Sequence, residues 1–124
     1  GATLTGAELY DADLSGAYMV SADLTDANLS GAYMVSADLS NADLSNADLT
    51  GSVFSDVVYY GGSTWTDAFY YTDNEPIWAS GTDAVWRSSV GILALALAAK
   101  KATVGNRASL SSLETTVSSV RLSF

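Results

Sequence analysis

The sequence predicts a solenoid, a chain wound into stacked coils, and a strict five-residue repeat supports this. Residues 2 to 61 divide without a gap into twelve pentapeptides, from ATLTG to VVYYG. The first residue is Ala in ten of them, and the third is always Leu, Met or an aromatic residue. A five-residue period would scatter these positions around a helix and alternate them across a strand, so it fits neither. Short fixed repeats are typical of solenoids.

The tandem pattern A-[DN]-L-[ST]-x resembles the pentapeptide-repeat family. Examples are ADLTD at residues 22–26 and ANLSG at residues 27–31. The resemblance implies a right-handed quadrilateral β-helix in which each pentapeptide forms one side of a square and twenty residues make one coil. The predicted fold class is therefore an all-β solenoid of about three coils, with an aromatic cap and a helical C-terminal segment.

Wrapping the chain into coils of twenty predicts which residues stack. Leu at the third position should fill the axis, and each buried Leu stabilises the fold by roughly 1.5–3 kcal/mol. Ala at the first position lets the backbone approach the axis closely. The second positions should form four outward columns: Thr3, Asp23 and Asp43; Glu8, Asn28 and Asp48; Asp13, Tyr33 and Val53; Tyr18, Asp38 and Val58. A core of three coils is thin, and solenoids need capping segments.

The chain divides into three predicted parts. Residues 1–61 form the solenoid, residues 62–83 an aromatic-rich cap with two degenerate repeats after an extra Gly62, and residues 84–124 a helical, basic segment. The apolar spacing of Val90, Leu93 and Leu97 predicts a helix over about 84–103. The last sixteen residues fit either a helix, which we favour, or a strand. The clustered aromatic residues indicate a cap rather than a surface for stacking carbohydrate or another partner.

Charge is divided unequally along the chain. Thirteen acidic residues and no Lys or Arg occur up to Asp83, although the whole chain carries a net charge of only −9. All five Lys and Arg residues follow, against Glu114 alone. The chain is therefore an acidic body with a basic C-terminal segment.

Seven residues are candidates for self-association. Asp23 stacked on Asp43 indicates either a site for a cation or basic partner or, as we favour, a solvated face. Tyr18 and Tyr33 come from the duplicated stretch GAYMVSADL, and they form either a contact patch or a trace of gene duplication. The basic candidates are Arg87, Lys100 and Lys101.

Several function classes are disfavoured. The chain has no Cys and no His, so thiolate chemistry, the commonest general base and the commonest metal ligand are absent. We predict no catalytic residues, no metal, no cofactor, no nucleic-acid partner and no enzymatic activity. The longest apolar run, at residues 90–99, is half of what a membrane span requires. A start at Gly1 indicates either a cleaved leader, and hence export, or an excised fragment with further coils upstream; the first is slightly preferred.

Two functions remain. The first is a structural module that associates with itself, head to tail, through an uncapped first coil and the basic segment. The second is a DNA mimic, because quinolone-resistance members of the family resemble acidic rods that occupy type II topoisomerases. The Leu-centred repeats, the short stack and the basic segment depart from that subgroup, so self-association is the favoured prediction and another protein partner the alternative.

Overall fold

The computed structural model of the chain describes residues 1–57 and 61–96. Outward second-position residues pair in parallel with their counterparts twenty residues later, as the predicted columns require. Val58, the last member of the fourth column, lies outside the described residues. The bridges within coils 1 to 3 are Thr3 with Asp23 and Asp23 with Asp43, Glu8 with Asn28 and Asn28 with Asp48, Asp13 with Tyr33 and Tyr33 with Val53, and Tyr18 with Asp38. We call these columns the first to fourth faces.

Backbone hydrogen bonds hold each coil to the next. The Leu24 N–H donates to the Asp43 carbonyl at 2.7 Å, and the Asn28 N–H donates back to the Ala7 carbonyl at 2.9 Å. The same two bonds recur around the square. They set the coils about 4.8 Å apart, the usual separation of paired strands.

Each corner of the square is a tight turn. The carbonyl of a third-position residue accepts from the N–H three residues later, as from Ala27 to Leu24 at 3.0 Å. The fifth position then takes a positive φ, for example 66° at Gly6, 61° at Asp26 and 58° at Asn41. This left-handed conformation favours Gly, Asn and Asp, which explains why these residues and Ser fill the fifth position.

The core lies along the axis of the stack. Third-position Leu and Met side chains of coils 2 and 3 have no exposed surface, and the Ala residues that begin the same repeats are at most 1% exposed. Phe54 of coil 3 is 3% exposed, and Tyr59 lies outside the described residues. In coil 1, Leu4, Leu9 and Leu14 are only partly buried. The fully buried third-position residues are Leu24, Leu29, Met34, Leu39, Leu44 and Leu49.

The stack is taller than the three coils that the repeats predict. Thr64 pairs with Asp43 at a spacing of 21 residues, because Gly62 is accommodated as an extra residue. Ile77 pairs with Val53 at a spacing of 24, because the chain first makes an added turn near Asn74. Strand β1, Phe69–Tyr71, pairs in parallel with strand β2, Leu93–Leu95. The described residues therefore form a fourth coil on three faces and one strand of a fifth.

The predicted helix over residues 84–103 is wrong in its extent. Helix α1 covers Ala84–Ser89, and the Asp83 side chain caps it by accepting from the Trp86 N–H at 2.9 Å. Gly91 at a φ of 89° ends the helical path, and the next residues pair with β1 instead. The edge of a strand with free hydrogen-bonding groups outweighed the helical spacing of Val90 and Leu93. The predictions for residues 97–124 lie outside the described residues.

The inward and outward assignments are testable with one pair of variants. Leu29→Asp places an unpaired carboxylate on the axis, where Leu29 has no exposed surface, and we expect it to cost about 4 kcal/mol or more. Asn28→Asp adds the same charge outside, where exposed repulsion from Glu8 and Asp48 replaces the 3.0 Å bond to Glu8, so we expect a cost of about 1 kcal/mol. Urea denaturation measures both, and equal losses would contradict the assignment.

Candidate interaction surface

The carboxylates of the repeat have a local structural role. The Asp23 Oδ1 atom accepts from the Thr25 N–H at 3.0 Å, and the Asp43 Oδ1 atom accepts from the Ser45 N–H at 3.0 Å and from its hydroxyl at 2.6 Å. Asn28 forms the same bond with Ser30. The second and fourth positions of the repeat are thus coupled as a turn in which an acidic or amide side chain binds the backbone.

Asp23 and Asp43 are neighbours on the first face, as predicted. They pair directly in the ladder, and both are partly buried. One oxygen of each accepts hydrogen bonds from its own turn, so both carboxylates have a structural role in the repeat.

Tyr18 and Tyr33 lie on adjacent faces of successive coils. Tyr18 is on the fourth face beside Asp38, and Tyr33 is on the third face between Asp13 and Val53. Their side chains are 81% and 52% exposed. Tyr10, which sequence analysis did not single out, is 66% exposed at the corner after the second face. Tyr10 is the fourth residue of its repeat, a position that is mostly Ser or Thr, and this departure from the pattern could have identified it.

Arg87 is held by contacts within its own chain. Its guanidinium donates to the Thr82 carbonyl at 2.5 Å, lies 3.8 Å from the Glu75 carboxylate and stacks 4.7 Å from the centre of the Trp78 ring. These contacts fix α1 against the last described coils. Lys100 and Lys101 lie outside the described residues.

The clustered aromatic residues close the C-terminal end of the axis. Phe54 stacks on Trp78 at 5.8 Å and meets Trp65 edge-on, and Trp65 meets Trp86 of α1 edge-on at 5.9 Å. Phe54 and Trp65 are nearly fully buried. Burial raises the pKa of Tyr70 above its usual value, and the nearby Glu75 adds to this. The contacts favour packing over a stacking surface for a ligand.

The opposite end of the stack presents free backbone groups. The N–H groups of Thr3, Glu8, Asp13 and Tyr18 find no acceptor among residues 1–57 and 61–96. One coil higher, each matching N–H donates to a carbonyl of coil 1, as from Tyr33 to Ala12 at 2.9 Å. We call this row the coil 1 edge. Such a row can pair with another strand.

Clusters of potential metal ligands and helices of membrane-spanning length are both absent from the described residues. Among these residues, no His, Cys, Asp or Glu side chains gather in threes close enough to hold a metal ion. None of the described helices has the length and apolar character needed to cross a bilayer.

Comparisons with known proteins identify the repeat region. A family model for pentapeptide repeats matches eight copies, over residues 1–19 and 17–56. The match over residues 1–56 confirms the resemblance to the pentapeptide-repeat family seen in the sequence. A search of curated proteins found no match.

Solved structures of pentapeptide repeat proteins are also similar. One, from the thylakoid lumen of Arabidopsis thaliana, is 27% identical with a TM-score of 0.60, and the match covers 73% of this chain and 61% of that one. Its likeness implies a right-handed β-solenoid. HetL of Nostoc, a protein involved in heterocyst differentiation regulation, is 32% identical over 53% of this chain and 35% of its own, with a TM-score of 0.29. A second Nostoc protein is 26% identical over 75% of this chain and 84% of its own, with a TM-score of 0.25.

The turns of the repeat predict a pH dependence of stability. Hydrogen bonds from Ser15 lower the pKa of Asp13 below 3.8, and those from Thr25 do the same for Asp23. A lowered pKa in the folded state stabilises the fold above the unfolded value, and this stabilisation is lost as the pH falls through the folded value. The variant Asp13→Asn with Asp23→Asn keeps both acceptors but cannot titrate. We expect the parent to lose thermal stability relative to this variant below about pH 4.

Thermal unfolding of both proteins between about pH 7 and pH 2.5 measures this difference. Relief of charge repulsion alone would act in the opposite direction, because protonation would favour the parent. A difference in Tm that is constant, or that shifts in favour of the parent in acid, would contradict the role of these turns.

Proposed function

We propose that this chain is a non-enzymatic structural module that associates with itself. The basic C-terminal segment of one chain binds the acidic coils of the next, which yields an oligomer or a head-to-tail filament. The observation that supports this proposal best is the charge separation of the folded chain. Arg87 is the one Lys or Arg among residues 1–57 and 61–96, and its contacts with Glu75 and Trp78 engage it internally.

The coils therefore present carboxylates without matching cations in the described chain. The remaining four cations, Lys100, Lys101, Arg107 and Arg121, all belong to the last 28 residues. Surfaces of opposite charge attract one another over about a Debye length and orient the encounter between two molecules. A chain that carries both surfaces is complementary to a second copy of itself.

The coil 1 edge supports the head-to-tail direction. Its four N–H groups point along the axis, away from coil 2. A contact between this edge and a different surface of the next copy is heterologous, and such contacts propagate into open filaments unless the rotation closes a ring.

A DNA mimic is the weaker alternative. Four steps of about 4.8 Å from coil 1 to β2 make the described part of the stack about 19 Å tall. A duplex rises 3.4 Å per base pair, so this height matches fewer than about six base pairs. Binding to a type II topoisomerase that DNA displaces would support this alternative.

Charge reversal of the basic segment tests self-association. We expect Lys100→Glu with Lys101→Glu to weaken association about tenfold or more at 0.1 M salt, because attraction becomes repulsion. Raising the salt to 1 M shortens the Debye length from about 10 Å to about 3 Å and should weaken the parent in the same way. Sedimentation velocity over a concentration series measures both effects.

The matched control is Lys100→Arg with Lys101→Arg, which keeps both charges and should associate like the parent. Circular dichroism checks that all three proteins fold alike. A parent that remains monomeric at high concentration would refute self-association. If neither salt nor charge reversal changes the degree of association, the basic segment is not the contact.

A further inference from the structure

A groove of about 300 Å³ follows the corner between the second and third faces. Tyr10 and Asp11 line its lower end in coil 1, and Tyr71 and Asn74 line its upper end in coil 4. Asp48 borders it from the second face. The two ends are three coil steps apart, or about 14 Å. We call this feature the corner groove.

Two successive glycines create the corner groove. Gly31 and Gly51 occupy the corner in coils 2 and 3, with φ values of 69° and 65°. The other three corners carry side chains in at least one of these coils, such as Asp26 and Asn46 at the first corner. A Cβ on Gly31 would overlap the Asp11 carboxylate, and one on Gly51 would overlap the Asn74 amide. The side chains of coils 1 and 4 therefore extend over the glycines as walls.

The walls suit a cationic side chain. The Asp11 carboxylate has no hydrogen bond or ion pair with the described residues, and Asp48 uses one oxygen to accept from the Thr50 N–H at 3.0 Å. The exposed Tyr10 ring stands beside them. The chain already uses this combination elsewhere, since Arg87 lies between the Glu75 carboxylate and the Trp78 ring. Carboxylates and an aromatic face together attract Lys and Arg.

We propose that the corner groove binds the lysine side chains of the basic C-terminal segment, Lys100 and Lys101, from a second copy of this chain. This inference rests on the proposed function and identifies its acceptor site. Charge complementarity supports the choice of occupant, because the last 28 residues carry four of the five Lys and Arg residues of the chain. They follow directly after the described coils, whose charge is acidic.

Paired Asp→Asn variants isolate the corner groove from the general charge of the coils. The groove variant is Asp11→Asn with Asp48→Asn, and its control is Asp56→Asn with Asp38→Asn. Each of these variants removes one negative charge at a corner and one at a second position of the repeat. Asn is compatible with all four positions, since Asn41 has a φ of 58° at a corner and Asn28 accepts from the Ser30 N–H at 3.1 Å at a second position.

We expect the groove variant to raise the dissociation constant of full-length self-association about tenfold at 0.1 M salt. The control should change it by no more than about twofold, because its carboxylates face other parts of the surface. Sedimentation velocity measures the constants, and thermal unfolding checks that both variants remain folded. Tyr10→Ala should also weaken association, because it removes the aromatic ring beside the two carboxylates.

The outcomes separate this inference from the proposed function. Equal weakening by the groove variant and the control would overturn the corner groove in favour of diffuse attraction. If Lys100→Glu with Lys101→Glu weakens association and the groove variant does not, the groove is excluded as the acceptor but self-association is supported. Binding within one chain is the competing outcome, because β2 ends at Leu95, which pairs with the groove residue Tyr71. A groove variant that changes amide exchange of Lys100 in dilute monomer, without changing association, would show binding within one chain and overturn the second copy as occupant.

Discussion

The twenty-residue register of the inter-coil hydrogen bonds is the constraint on which the rest of the structure depends. Bonds such as Leu24 to Asp43 and Asn28 to Ala7 fix both neighbours of a coil at once. They place every third-position side chain on the axis and every second-position side chain outside. A slip of one residue would expose Leu and bury Asp around the whole coil. Insertions are tolerated only at corners, as at Gly62 and near Asn74, because there the side of the square is already complete.

This constraint leaves the outer surface to vary. The second-position carboxylates stabilise turns on the outside of the coils, so the same residues that support the fold also make the coils acidic. The inner positions stabilise the fold, and the outer positions form the surface available for binding. The two ends of the described stack differ as well. Trp65 and Trp86 cover the C-terminal end of the axis, while the second-position N–H groups of the coil 1 edge find no acceptor among residues 1–57 and 61–96.

Much of this architecture was predictable from the repeat. The repeat, wrapped into the twenty-residue coils that the family resemblance implies, predicted the columns of coils 1 to 3, including Asp23 beside Asp43 and the adjacent faces of Tyr18 and Tyr33. The fourth coil was harder, because Phe69 and Ile77 follow insertions that break the period. Strand β2 was predicted as helix because Leu93 fits a helical stripe. The choice between helix and strand depends on pairing with the edge of β1, which the local sequence does not reveal. The corner groove needs the coil wrapping applied to the fifth position, where Gly31 and Gly51 become neighbours.

The register is tested most directly by amide hydrogen exchange of the duplicated nonapeptide. Tyr18 and Tyr33 follow the same residues, Gly and Ala, so their intrinsic exchange rates are alike. The Tyr33 N–H donates to the Ala12 carbonyl at 2.9 Å, whereas the Tyr18 N–H finds no acceptor among the described residues. In dilute protein we expect Tyr33 to exchange about a hundredfold or more slowly than Tyr18. Equal rates at the two tyrosines would contradict the twenty-residue register.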